Sequence, residues 1–235
     1  VRTKRTMWGF FGALALAMGP AAMAVTLDAT DVGVYDDIGN FGGNSLTVGW
    51  DAPAFFGSGT ESRHFTVFDL SGVSDPITAA VLRLKEPAGG YDSVDSSEDL
   101  TVFDVSTAIA TLTGGTGGVG VFNDLGAGSS YGSVAIDATN DDSWISITLN
   151  AAALADLNAA TGSFAFGGAV TSLTKSNSTG QDELMFFDAG GTPAPQLVLT
   201  TTPSGGGGGS VPEPAVVALM LAGLLGWSGS RRVRG

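Results

Sequence analysis

Three stretches of this 235-residue chain gather hard oxygen ligands: Asp36-Asp37-x-x-Asn40, Asp92-x-x-Asp95-x-x-Glu98-Asp99 and Asn140-Asp141-Asp142. Carboxylate and amide oxygens at such spacings suit Ca²⁺, which takes many oxygen ligands and tolerates irregular geometry. None of the three follows the EF-hand loop or a calcium-binding nonapeptide repeat. Asp and Asn are also the ordinary residues of turns, so a solvated turn is the competing reading of each. The candidate calcium ligands are therefore Asp36, Asp37 and Asn40, or Asp92, Asp95, Glu98 and Asp99.

Catalytic chemistry finds less support. The sole histidine, His64, stands beside Arg63 with no G-x-S-x-G or H-E-x-x-H pattern in the chain, and a general base needs partners at fixed distances. Its plain reading is a half-exposed strand residue. Carboxylates are plentiful enough for glycosidase chemistry, but none sits in a recognisable setting. There is no cysteine, which removes thiolate nucleophiles, thiolate metal sites and disulfides together. The expectation is a protein that is not an enzyme. Trp50, Trp144, Tyr35, Tyr91 and Tyr131 could stack on sugar rings from an exposed sheet face, although tryptophans among alternating apolar residues are more often core.

The elements that must position these groups read as strands. Leu46, Val48 and Trp50 alternate with Thr47 and Gly49; Ala80, Leu82 and Leu84 alternate with Val81, Arg83 and Lys85; Ile145, Ile147 and Leu149 alternate with Trp144, Ser146 and Thr148. Period-two alternation predicts strands with one buried face. Residues 64–69, 100–105, 131–137, 163–170, 184–188 and 196–201 are further strand candidates, giving eight or nine in all, the number of a jelly roll. One short helix is predicted over 151–157, capped by Asn150 and ended by Gly162. The glycine-rich segment 114–133 is expected to be a long mobile loop.

Both ends of the chain differ from this middle. Arg2, Lys4 and Arg5, an apolar run from Met7 to Met18, and Ala22-Met23-Ala24 form the three parts of a secretory signal peptide, with cleavage expected after Ala24. At the other end a glycine linker, 204–210, leads to Val211-Pro212-Glu213-Pro214, an uncharged run from Ala215 to Trp227, and then Arg231, Arg232 and Arg234. At about 1.5 Å per residue the run spans roughly 20 Å; adding Ser228 to Ser230 and letting the arginines snorkel brings it near a membrane's hydrocarbon thickness. The expectation is a transmembrane helix stopped by its basic end. Domain boundaries follow: 1–24 signal peptide, 25–203 β-sandwich domain, 204–210 linker, 211–235 tail. Between the signal and the linker, four basic residues face 22 acidic ones, a formal charge of −18. That charge repels phosphate backbones and argues against nucleic acid.

The order V-P-E-P, apolar run, arginine cluster resembles the PEP-CTERM tail of exported Gram-negative proteins. The resemblance implies signal peptidase and an exosortase-type enzyme as processing partners. It implies transit through the inner membrane and arrival at the cell surface or extracellular matrix, where extracellular polysaccharide would be a partner. A second resemblance covers the domain: Asn40-Phe-Gly-Gly-Asn-Ser-Leu-Thr-Val-Gly49, Arg63-His-Phe-Thr-Val-Phe-Asp-Leu-Ser71, Ile77-Thr-Ala-Ala-Val-Leu-Arg-Leu84 and Pro195-Gln-Leu-Val-Leu-Thr200 are similar to segments of DNRLRE-type exported domains. It implies a jelly-roll β-sandwich, serving in carbohydrate binding or as a spacer in surface proteins.

Overall fold

The computed structural model describes residues 22–55, 57–187 and 193–203. Among them the alternating segments form the first layer. In β6 (Ile77–Lys85) from Ala80 on, and throughout β10 (Trp144–Thr148) and β13 (Gln196–Thr201), every second residue is buried, and β1 (Met23–Asp28) lies along β13. The result is an antiparallel four-stranded sheet ordered β1-β13-β6-β10. Leu82 pairs with both Leu197 and Ile147, so one register places three buried side chains in a row. A one-residue slip would turn that row to solvent, so the core itself fixes the pairing.

The second sheet is larger and branched. Its path runs through β7 (Asp92–Ser93), β12 (Glu183–Met185), β4 (Val48–Asp51), β5 (Thr60–Asp69), β11 (Ser163–Val170), β8 (Glu98–Asp104) and β9 (Ser130–Ile136). From β5 branch β2 (Asp31–Asp36) and, beyond it, β3 (Phe41–Gly43). The inner faces of the two sheets share one core, in which Leu82, Leu84, Ile147 and Leu199 from the first meet Phe68, Phe166, Leu100 and Val102 from the second. Each such side chain stabilises the fold by about 1.5–3 kcal/mol relative to exposure. The described chain is thus mostly β, an all-β sandwich with antiparallel sheets.

The outer face of the large sheet carries a second core. Here α1 (Ile109–Thr113) and α2 (Gly118–Asp124) cover Tyr35, Phe65, Val67 and Ala165 with Leu112, Val121, Phe122 and the following Leu125. The Tyr35 hydroxyl donates to the Leu112 carbonyl at 2.8 Å, so its buried polar end is satisfied. Gly167 makes this possible, because a Cβ there would lie 2.6 Å from the Leu125 carbonyl oxygen.

Several expectations need correction. The segment 114–133 is not one long loop: it holds α2 and the start of β9. Its glycines hide the pattern Val121-Phe122-x-x-Leu125, whose helix is held by packing rather than by propensity. The expected single helix, 151–157, extends as α3 (Ala151–Ala159), capped as expected by Asn150 Oδ1 on the amides of Ala152 and Ala153, but it is one of three α-helices among the described residues. All nine strand candidates contain strands, and β1, β2, β3 and β7 raise the described total to thirteen. Among the described residues no helix is long and apolar enough to cross a membrane. The expected transmembrane helix from Ala215, the Val211-Pro212-Glu213-Pro214 motif and the arginines all lie outside the described residues.

Candidate cation centre and open sheet face

One twelve-residue loop, 171–182, joins β11 to β12, and three buried glutamates hold it. Glu98 accepts a hydrogen bond from Ser172 Oγ. Glu183 accepts from the amides of Thr174 (2.8 Å) and Lys175 (3.1 Å) and from the Thr174 hydroxyl. Glu61 takes Lys175 Nζ on one oxygen and Arg63 Nε (2.9 Å) on the other. Trp50 Nε1 fixes the Ser176 carbonyl at 2.8 Å, and the Asp182 carboxylate accepts from the Ala52 amide at 2.8 Å. A loop this long ordinarily moves; this one is tied at the five positions 172, 174, 175, 176 and 182.

Two of those glutamates also form an acidic centre. Asp95, Glu98 and Glu183 each offer a carboxylate oxygen within 4.8 Å of the others. Glu98 is 1% exposed and Glu183 is fully buried. Among the described residues neither has a cationic partner, whereas Glu61 has two. Buried anions this close need a positive charge or a proton between them. The hydroxyls of Ser93 (2.7 Å to Glu98), Ser172 and Thr174 surround the pair with further oxygens. A carboxylate has about four lone-pair sites, so these hydrogen bonds leave capacity for a hard divalent cation. The field nearby is negative as well: the Asp51 carboxyl is held above its usual range, first by burial and then by Asp182 and Asp92.

The structure redistributes the candidate ligands. Asp95 and Glu98 come together, but Asp92 and Asp99 are not part of the group, and Glu183 joins from across the sheet. Glu183 escaped sequence reasoning because 84 residues separate it from Asp99; its signal was a carboxylate, next to Asp182, opening the apolar run Leu184-Met185. The β12 backbone that carries it lies so close to β4 that a Cβ on Gly49 (φ +123°) would stand 2.0 Å from the Glu183 carbonyl oxygen. The cluster Asp36, Asp37, Asn40 is built as a turn. Asp36 accepts from the Ile38 and Asn40 amides (3.2 and 2.7 Å) and from the Asn40 side chain (2.7 Å), closing the β2–β3 hairpin. In the third cluster Asn140 completes a capping box, Asp141 accepts from the Tyr91 amide and Asp142 pairs with Lys85.

His64 is not the half-exposed strand residue expected of it. It is 1% exposed, on the inner face of β5 near Gly168 and against Phe186, with Nδ1 lacking a hydrogen-bond partner. Burial pushes its pKa down to about 4, with a backbone hydrogen bond at Leu46 opposing the shift. A neutral imidazole walled off from solvent is packing, not a poised base.

Of the five aromatics, Trp50, Tyr35 and Tyr131 are core. Trp144 remains half-exposed on the outer face of the four-stranded sheet, where the Arg83 guanidinium lies 4.7 Å from its ring centroid. Arg83 Nη1 donates to Gln196 Oε1 (3.1 Å), and Gln196 Nε2 donates to Asp28 (3.2 Å). These residues lie on adjacent strands in one register row, with Ser146 beside Arg83. No protein-family model matches the chain. No curated protein matches it either.

Proposed function

We propose that the chain is an exported, non-enzymatic protein of the cell surface or extracellular matrix, delivered through an exosortase-type system and associated with extracellular polysaccharide. Its domain is read as a jelly roll with a calcium-stiffened loop. The single observation that carries the proposal is where the domain's ends leave the fold. β1 and β13 are neighbours, with Ala24 paired to Thr200, and the glycine linker begins three residues after β13. A cut after Ala24 and a cut or anchor beyond Pro203 therefore both act at one edge of one sheet. The first removes two residue pairs of β1 and leaves four, from Val25–Leu199 to Asp28–Gln196. Neither disturbs the shared core.

The non-enzymatic part of the proposal rests on the sequence, where neither His64 nor the carboxylates sit in a recognised catalytic pattern. N-terminal sequencing of exported material tests the export step: the expected first residue is Val25, and Val1 or Met7 would remove the basis for export.

Calcium supplies a second test. Adding about 1 mM Ca²⁺, the working range of extracellular calcium modules, to chelator-treated protein is expected to raise Tm by about 3–6 °C. Glu183→Gln and Glu98→Gln should each abolish the rise, and Asp36→Asn should keep it. An identical Tm with and without the ion would reject the calcium part of the proposal.

A further inference from the structure

The two outer faces of the sandwich differ. The large sheet's is covered by α1 and α2, whereas the outward residues of the four-stranded sheet are all exposed or half-exposed among the described residues. Across that open face runs one row, Asp28–Gln196–Arg83–Ser146, with Trp144 above it. Strands about 4.8 Å apart make the row about 14 Å long, room for a short run of sugar rings.

Its chemistry is unusually mixed for so acidic a domain. Of the four basic residues between signal and linker, Arg63 and Lys175 are spent on Glu61 and Lys85 on Asp142. Among the described residues Arg83 alone of the four has no carboxylate partner, and its bond to Gln196 uses one nitrogen of three. The Gln196 amide is held between Arg83 and Asp28, so its orientation is fixed before any ligand arrives. The row thus presents guanidinium donors, a carboxylate acceptor, an amide and the Ser146 hydroxyl beside an aromatic ring. Groups of both kinds next to a flat apolar surface match a pyranose, which has hydroxyls on its rim and C–H groups on its faces. A protein partner would ordinarily want a more apolar centre.

Charge selects among sugars. Arg83 and Asp28 balance, as do Lys85 and Asp142, so the face offers no net attraction to an anion. Around it the domain's formal −18 repels polyanions. Resting on the proposed polysaccharide association, we infer that the open face of the four-stranded sheet is a binding platform for a neutral polysaccharide, with Trp144 as the stacking residue and Arg83, Gln196 and Asp28 as the hydroxyl-reading groups.

Affinity electrophoresis of the full chain in mild detergent tests this, with dextran, laminarin, hydroxyethylcellulose or galactomannan cast into the gel and alginate as the acidic comparison. At least one neutral polymer should retard the protein, and alginate should not. Trp144→Ala should weaken the retardation about tenfold, corresponding to one stacking contact. Ser146→Glu, at a solvent-facing position, should weaken it by engaging Arg83 without cutting into the core. Ile38→Ser, at an exposed apolar position on the β2–β3 turn, should change nothing. Retardation by alginate alone overturns the neutral class and leaves polysaccharide association standing. Retardation by neutral polymers that survives both face variants overturns the platform. Retardation by none removes the platform and the association together.

Discussion

Glu86→Gln is expected to remove a destabilising contribution that Glu86 makes as pH rises from about 4.5 to 7. Glu86 follows the last residue of β6 and is fully buried. One carboxylate oxygen accepts from the Phe186 amide at 2.9 Å; the other is buried without a partner. Burial raises its pKa to about 7, the Phe186 amide opposing and the facing Asp141 adding to the rise. A carboxyl whose folded pKa lies above its unfolded value keeps its proton longer in the native state. Its contribution is fully present below the unfolded pKa, near 4.5, and is lost as pH climbs through 7. At about 1.4 kcal/mol per unit the loss approaches roughly 3 kcal/mol, or about 6–12 °C in Tm for a domain of this size.

His64 works in the opposite sense. Its folded pKa, about 4, lies below the ordinary 6.5, so its contribution is present above 6.5 and is lost as pH falls toward 4. Between about 4.5 and 6.5 the two slopes oppose each other, and their share of the wild-type profile is nearly flat. Glu86→Gln should therefore unmask a profile that rises with pH over this window, and His64→Gln one that falls. Thermal melts of both variants from pH 4 to 8 check this. Parallel profiles in wild type and Glu86→Gln would show that Glu86 is not the titrating group.

Why these two groups were invisible in sequence is instructive. Glu86 follows Lys85 and precedes Pro87, the composition of an exposed strand end; only the crossing of residue 186 over it buries the carboxyl. His64 occupies an inward position of β5, but beside the charged Arg63 it reads in sequence as a half-exposed strand residue. By contrast Leu82, Leu84, Ile145 and Ile147 were legible because period-two alternation is a local signal of a half-buried strand. Strands β1 to β3 and β7 were not, since each is short or polar and exists through its partner. Helix α2 carries Gly118 and Gly120, and Gly114, Gly115 and Gly117 lie between it and α1; these oppose helix formation locally, and the apolar surface of Phe65 and Val67 overrides that preference. The acidic centre was half legible. Asp95 and Glu98 lie in one run, but the carboxylate that completes the group comes from β12 and follows from topology alone.

The second large effect concerns the tail. On the proposed reading, the apolar run Ala215–Trp227 with Arg231, Arg232 and Arg234 halts translocation, while the Val211-Pro212-Glu213-Pro214 segment presents the recognition site outside the membrane. Stopping and recognition then reside in different residues, and two lesions should separate them. Deleting residues 211–235 removes both. Such a protein should be exported, cut at Val25 and released, shifting from mostly cell-associated to mostly in the medium. Pro212→Ala with Pro214→Ala leaves the stop intact and changes only the segment read as the recognition site. That protein should remain in the inner membrane at its uncut length.

Cell fractionation with immunoblotting against residues 25–203 tests the central claim most directly, with wild type, the deletion and the double proline variant side by side. The account predicts wild type shortened at the surface, the deletion in the medium, and the double variant uncut in the inner membrane. All three forms in the same fraction at their full encoded lengths would contradict it.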